Sequence, residues 1–179
     1  MAGNQTQKPA PTRPVLPEAR GEPSFHIALL EPEIPQNTGN IGRLCLGVGA
    51  RLHLVHPLGF DLDEKAVRRA GLDYWRHVDL QEHADTDAFF TWAAGRRNYL
   101  LSSLATRPYT AIPFAPGDVY VFGRESVGLP PTLVAAHGAW VIPMVGPTRS
   151  LNLANAVSII AYAAFARIDP ARFVDPGPP

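Results

Sequence analysis

Phe25-His-Ile-Ala-Leu-Leu30, then Glu31-Pro-Glu-Ile-Pro-Gln-Asn-Thr-Gly-Asn-Ile-Gly-Arg43, and after Gly49 the run Arg51-Leu-His-Leu-Val55: this stretch decides the fold. The first run is short and apolar and ends in a Pro-rich turn, which predicts a buried strand. Thr38 can cap a helix running to about Val48, with Gly49 as its stop signal. Arg51–Val55 predicts a second strand. The same alternation continues down the chain. Helices are expected at Glu64–Ala70, at Thr86–Ala94 before Gly95, at Pro131–Ala136 and from Asn152 to Arg167. Strands are expected at Tyr99–Leu104, Val119–Phe122 and Trp140–Pro143. Strands alternating with helices predict an α/β domain with a largely parallel sheet and helices on both faces.

Residues 1–23 carry prolines at 9, 11, 14, 17 and 23 and no periodic apolar pattern. Such a segment buries too little surface to offset its ordering entropy, so it reads as a disordered tail. The domain is expected over residues 24–170, and residues 171–179 as a flexible C-terminal tail. The chain has 179 residues, which suits one domain with a sizeable core. The longest apolar segment, Ala156–Ala166, is interrupted by Ser158 and is too short to span a bilayer. The N-terminus lacks the charged-then-apolar build of a signal peptide. Cys45, the single cysteine, excludes an internal disulfide framework and a Cys-rich metal site. A cytoplasmic protein with no membrane partner is therefore expected. Sixteen Lys+Arg balance sixteen Asp+Glu, so no global basic signal points to nucleic acid. Lys8 and Lys65 are the only lysines; arginine suits phosphate contacts, but the bias is more simply that of a GC-rich genome.

Ligands gather at the carboxyl ends of strands in a parallel sheet, and three loops there stand out. In the first, Asn37-Thr-Gly-Asn-Ile-Gly-Arg43, two asparagines and two glycines crowd a helix start. Gly39, Arg43 and Gly47 form a stripe at four-residue intervals, and glycine within a helix costs about 1 kcal/mol against alanine. Gly47 thus suggests close approach by another backbone or a ligand, with Arg43 on a cleared face. Taken alone, the segment also fits an ordinary capped helix with a solvated arginine. In the second, Phe122-Gly-Arg-Glu-Ser-Val-Gly-Leu-Pro130, Gly123 lets a ligand approach the backbone while Arg124 and Glu125 offer charge. The third, Ile142-Pro-Met-Val-Gly-Pro-Thr-Arg-Ser-Leu-Asn152, sets an apolar wall beside Ser150 and Asn152, either of which can also serve as a helix cap.

Several chemistries are missing. No G-x-G-x-x-G follows the first strand, and no G-x-x-x-x-G-K-[ST] loop is present. Gly123–Gly128 reads G-x-x-S-x-G, which does not place a serine on a hydrolase elbow. His53 and His56 lie three apart in one strand and so point to opposite faces, a poor metal pair. Cys45 reads as a small buried hydrophobe. The last helix is apolar nearly all round, which suits a buried helix or one that meets a partner.

Together, Glu31–Arg43, Phe122–Glu125 with Gly128–Pro130, and Ile142–Val145 with Ser150–Val157 resemble the three motifs of the SpoU branch of SPOUT RNA methyltransferases, over about residues 25–168. Arg68-Arg-Ala-Gly-Leu-Asp-Tyr-Trp75 looks closest to the TrmL type, which 2′-O-methylates the wobble cytidine or modified uridine of certain leucine tRNAs. The resemblance implies a parallel-sheet α/β/α SPOUT domain with a C-terminal deep trefoil knot, a homodimer through the first and last helices, and tRNA as the partner. It implies S-adenosylmethionine as methyl donor, contacted by Leu101, Gly123, Ile142 and Ser150, and no metal. It also puts Arg43 beside the ribose 2′-hydroxyl, with Asn37, Glu125, Ser150 and Asn152 shaping the site. Arg68, Arg69, Arg107 and Arg149 are candidate RNA contacts, although each reads more readily as a solvated surface residue. Two other readings stay open: a 2′-O-methyltransferase of another tRNA or rRNA position, and a non-catalytic RNA-binding protein of the same fold.

Overall fold

The computed structural model describes residues 22–61 and 74–174. The helix expected at Glu64–Ala70 and the candidate contacts Arg68 and Arg69 lie outside the described residues.

Seven strands form one sheet: β1 (His26–Leu30), β2 (Arg51–Val55), β3 (Leu80–His83), β4 (Asn98–Leu101), β5 (Arg107–Pro108), β6 (Val119–Phe122) and β7 (Trp140–Val141). Their order is β3-β2-β1-β6-β4-β7-β5, and every pairing is parallel. Parallel strands are buried on both faces, which is why β1 and β6 carry no exposed residue. The helices are α1 (Pro35–Val48), α2 (Thr86–Trp92), α3 (Pro131–His137) and α4 (Leu153–Ile168). One face of the sheet packs Ile27, Leu29, Leu52, Leu54, Tyr120 and Phe122 against Ile41 and Cys45 of α1 and Val157, Ile160 and Ala164 of α4. The other packs Ala28, Leu30, Val55 and Val121 against Phe89 of α2 and Leu133 and Val134 of α3. Cys45 is fully buried, and burial pushes its thiol up to about 12, as fits a small apolar filler.

Several details depart from the sequence reading. The helix after β1 starts four residues earlier than a Thr38 cap predicts. Pro35 sits in its first turn with its φ preset for helix, Ile34 is the N-cap, and Thr38 lies buried inside. Gly49 does end it, in the left-handed region at φ 68°. Strands β4 and β7 stop at Leu101 and Val141, short of the expected Leu104 and Pro143. Beyond them the chain turns away, Ala105 N donating to the Ser102 carbonyl. Strands β3 and β5 were not expected. Leu-Gln-Glu-His is three-quarters polar and Arg107–Pro108 only two residues long, and both lie at sheet edges, where one ladder suffices. After α4 the chain makes a turn of 3-10 helix, Pro170–Phe173, with the Phe173 ring 5.2 Å from Phe165.

A row of histidines crosses the sheet beneath α2. His26 Nδ1 lies 3.0 Å from His53 Nε2, and His53 Nδ1 lies 2.9 Å from His83 Nε2. The Trp92 ring covers His53 at a centroid distance of 4.2 Å. His53 does point away from His56, which reaches Glu82 at 2.8 Å, but its partners come from the neighbouring strands. Burial, then neighbouring Arg96 and Arg51, holds His26 down to about 4. Burial and then the two flanking imidazoles hold His53 down to about 2. Among the described residues no group of three or more His, Cys, Asp or Glu is arranged to hold a metal.

These depressed values set a pH dependence. The unfolded chain protonates each histidine near pH 6.5, while the native rings stay neutral, so the unfolded state binds more protons below that point. Stability is therefore full above about pH 6.5 and falls with acidification, by up to about 1.4 kcal/mol per pH unit for each ring held neutral. Urea midpoints should drop from pH 7 to pH 4.5 in the wild type and drop less in a His53→Gln variant. A midpoint unchanged over that interval would contradict a neutral native row.

Candidate active site

The three loops meet at the carboxyl ends of β1, β6, β4 and β7, four neighbours in the sheet. Leu101, which ends β4, pairs with Phe122 on one side and Trp140 on the other. Leu101, Gly123 and Ile142 are therefore the last or next residues of three adjacent strands.

Asn37 is the hub of the polar contacts. It sits in the first turn of α1, 6% exposed. Its Nδ2 donates to Glu125 Oε1 at 3.0 Å, and its Oδ1 accepts from Asn152 Nδ2 at 3.0 Å. One side chain from each loop thus joins a single chain of hydrogen bonds, Glu125–Asn37–Asn152. Each end also organises backbone. The Glu125 carboxylate accepts from the backbone N–H of Glu33 at 2.8 Å and of Ile34 at 3.3 Å, at the positive end of α1. Asn152 Oδ1 accepts from the N–H groups of Ala154 and Asn155, so Asn152 is the N-cap of α4. Ser150 makes no cap. It is exposed, and its carbonyl accepts the Thr148 hydroxyl at 3.0 Å.

Sequence reasoning missed Glu33. Its carboxylate accepts from Ser126 N at 2.9 Å and Ser126 Oγ at 2.8 Å, while its own N–H goes to Glu125. The first and second loops are therefore clasped in both directions. Arg124 pairs with Glu31, so neither charge of the second loop points freely at a ligand. The signal was present as two acidic residues spaced two apart, but nothing in the sequence pairs them with a loop ninety residues away.

The glycine expectations are corrected too. A Cβ on Gly123 would overlap the Gly128 carbonyl and the Leu129 amide, so its own loop, not a ligand, demands glycine there. Gly128 helps fold that loop back, at φ 73° with its N–H on the Arg124 carbonyl. Gly47 faces open space, whereas a Cβ on Gly42 would meet the Trp75 ring at 2.5 Å. The close approach to α1 exists, one turn earlier and made by an aromatic side chain.

Arg43 is not part of the Asn37 chain. Six residues on, it lies about 120° round the helix from Asn37. It is exposed and makes no ion pair among the described residues. Its guanidinium carbon stands 5.5 Å from the Tyr74 ring centroid. Arg107 lies 5.2 Å over the Trp140 ring on edge strand β5, and Arg149 is exposed in the third loop. A hollow of about 250 Å³ near Glu31, Thr86 and Arg124 holds none of Leu101, Gly123, Ile142 or Ser150.

Residues 142–151 make no backbone-to-backbone hydrogen bond among the described residues. Apart from the Ser150 carbonyl, which accepts the Thr148 hydroxyl, the main-chain groups of that loop are unpaired among the described residues, close to the apolar Leu101 and Ile142. That set fits a ligand with apolar and polar parts held through main-chain groups, and it offers no hard-metal cage.

The hub sets a measurable expectation. Asn37→Ala removes a buried amide and its two hydrogen bonds, to half-buried Glu125 and exposed Asn152, so at about 0.5–1.5 kcal/mol net per bond it should cost about 1–3 kcal/mol in chemical denaturation. Gly123→Ala should lower the thermal midpoint, whereas Gly47→Ala should be neutral or stabilising.

Comparison with known proteins accords with this geometry. The model of the SpoU rRNA Methylase family matches residues 24–162. The tRNA (cytidine(34)-2'-O)-methyltransferase of Saccharophagus degradans is 44% identical over 147 residues, 80% of this chain and 96% of that protein. A solved structure described as giving insights into the 2-OH methylation of C/U34 on tRNA superposes with a TM-score of 0.76. It is 44% identical, over 80% of this chain and 95% of that one. An AdoMet-bound rRNA methyltransferase from Sinorhizobium meliloti superposes with a TM-score of 0.70 at 29% identity, over 79% of this chain and 55% of that one. With its three loops locked together at the carboxyl edge of a parallel sheet and a match running through nearly the whole folded chain, this protein belongs to the SpoU rRNA Methylase family.

Proposed function

We propose that the protein is a tRNA 2′-O-ribose methyltransferase acting on the wobble nucleotide, cytidine or modified uridine, of the anticodon, with leucine tRNAs as its substrates. The observation that carries this reading is the Glu125–Asn37–Asn152 chain, which unites all three family motifs, together with Arg43 on another face of the same helix, which has no carboxylate partner among the described residues. The choice of wobble position rests on relatives such as the Saccharophagus degradans enzyme, which share over two-fifths of their residues with this chain.

S-Adenosylmethionine, when bound, supplies an electrophilic methyl group on a sulfonium. Leu101, Gly123, Ile142 and Ser150 would hold it, the first and third by apolar contact and the others through backbone. Asn37, Glu125 and Asn152 act by keeping these loops in register. Arginine retains its proton at neutral pH. Arg43 therefore serves by orienting the substrate phosphate and stabilising charge on the ribose oxygen, while the hydroxyl proton passes to solvent water and not to the guanidinium. Most of the rate gain then comes from positioning.

The chain is inferred to work as a homodimer through α1 and α4. The side of α4 turned from the core carries Tyr162, 51% exposed, and ends beside Phe173, 49% exposed. Two such faces meeting would bury both. No helix among the described residues is long and apolar enough to cross a membrane, which suits a cytoplasmic enzyme on tRNA. Strand β7 lies between β4 and β5, and α4 returns to pack on α1, a route compatible with the family's trefoil knot. Residues 24–170 would form the body of this unit, with the Pro170–Phe173 turn packed on its last helix.

Two experiments test this reading. Labelled methyl should pass from S-adenosylmethionine to the wobble ribose of tRNA lacking native ribose methylation, and Arg43→Ala should abolish the transfer. Label at another nucleotide would retain the chemistry and reject the position, and no label on any RNA would reject the enzyme. For RNA binding, Arg107→Ala and Arg149→Ala should each reduce the slope of log affinity against log salt, by about 0.7 for every phosphate the variant leaves unneutralised. An unchanged slope rules out that arginine.

A further inference from the structure

The pair Tyr74–Trp75 is seated on one face of α1. The Tyr74 hydroxyl donates to the Gly39 carbonyl at 3.0 Å, and its ring lies under the Arg43 guanidinium. Trp75 closes over Gly42 so tightly that no β-carbon fits there. In an α-helix the N–H of residue i bonds to the carbonyl of residue i−4, so Gly39 and Arg43 are the two ends of one turn. A single phenol thus grips that turn at both ends. Its hydroxyl fixes the carbonyl end, and its negative ring face attracts the cation at the other. An exposed arginine otherwise samples many rotamers, and holding it in one loses considerable entropy.

We propose that Tyr74 is a positioning residue for methyl transfer, its ring holding the Arg43 guanidinium in the orientation that meets the ribose hydroxyl and its phosphate. This rests on the role proposed for Arg43. The interaction needs an aromatic face at position 74 more than it needs the hydroxyl. The glycine at 42 is what lets the Tyr74–Trp75 segment approach α1 closely enough to supply it.

The test uses steady-state transfer to unmethylated tRNA by the full chain, with cofactor affinity and thermal midpoint measured alongside. Tyr74→Leu should lower kcat on the order of ten- to a hundred-fold with the cofactor Kd unchanged. Tyr74→Phe, which keeps the ring face, should stay within about threefold of wild type. Should Tyr74→Leu fold poorly, phenylalanine analogues of rising fluorination at position 74 keep the shape while draining the ring's negative face. The kcat should then fall stepwise with fluorination while the thermal midpoint stays constant, a response that simple packing would not give. A flat fluorination series, or a folded Tyr74→Leu enzyme with full kcat, would overturn the role of Tyr74. Arg43→Ala run in parallel separates the two ideas. An inactive Arg43→Ala with a flat series rejects Tyr74 alone, whereas a fully active Arg43→Ala rejects the role of Arg43 and this proposal with it.

Discussion

The side-chain amide of Asn37 is the joint on which the site depends. It is buried, it has a donor end and an acceptor end, and each end is claimed by a different loop. Glu125 takes the donor and Asn152 the acceptor, so three segments separated by up to 115 positions are held in one register. A desolvated amide tolerates no idle partner, since an unmet buried polar group costs about 1–3 kcal/mol. The three loops therefore hold together or loosen together. Each partner also does a second task, Glu125 at the start of α1 and Asn152 at the start of α4, so the joint sets the seating of two helices as well.

Around this joint the acidic residues of the loops and Arg124 are engaged within the protein. Glu33 grips Ser126, Glu125 grips the backbone before α1, and Arg124 grips Glu31. Residues that look like a constellation aimed at a substrate thus form a frame, and the groups left for a ligand are plainer. They are the main-chain groups of residues 142–151, the apolar ends of β4 and β7, and Arg43. For a group transfer that gains chiefly from alignment, a rigid frame with few free groups is a sound arrangement. Nearly all the polar side chains serve to hold loop backbone in place.

The other face of the sheet shows a different constraint. Three histidines from adjacent strands share two hydrogen bonds beneath Trp92, in a layer otherwise filled by Phe89, Leu100 and Val121. A neutral imidazole can donate at one nitrogen and accept at the other, so a row of them satisfies itself in an apolar layer. The arrangement ties this face to pH while leaving the loop face, which carries the site, to its own contacts.

Local physics made much of this legible from the sequence alone. Apolar runs bounded by Pro and Gly marked β1, β2 and β6; Gly49 marked the end of α1; the strand–helix alternation marked a parallel sheet. The motif residues Asn37, Arg43, Glu125 and Asn152 stood out because glycine, asparagine and charge crowd the ends of buried strands. What stayed hidden depends on contacts between distant segments. Edge strands β3 and β5 have too little apolar pattern of their own and exist because a neighbour supplies a ladder. The helix at Pro35 begins where Glu125, ninety residues on, stabilises its amino end. Gly123 looked cleared for a ligand and is cleared for its own loop, while Gly42 looked unremarkable and lies under Trp75. Spacing along the chain reports which residues can share a face, since backbone periodicity is local. Which partner each face meets is decided only when the sheet brings strands together out of sequence order, and here that decision made a frame of most of the predicted site and left Arg43 standing on Tyr74.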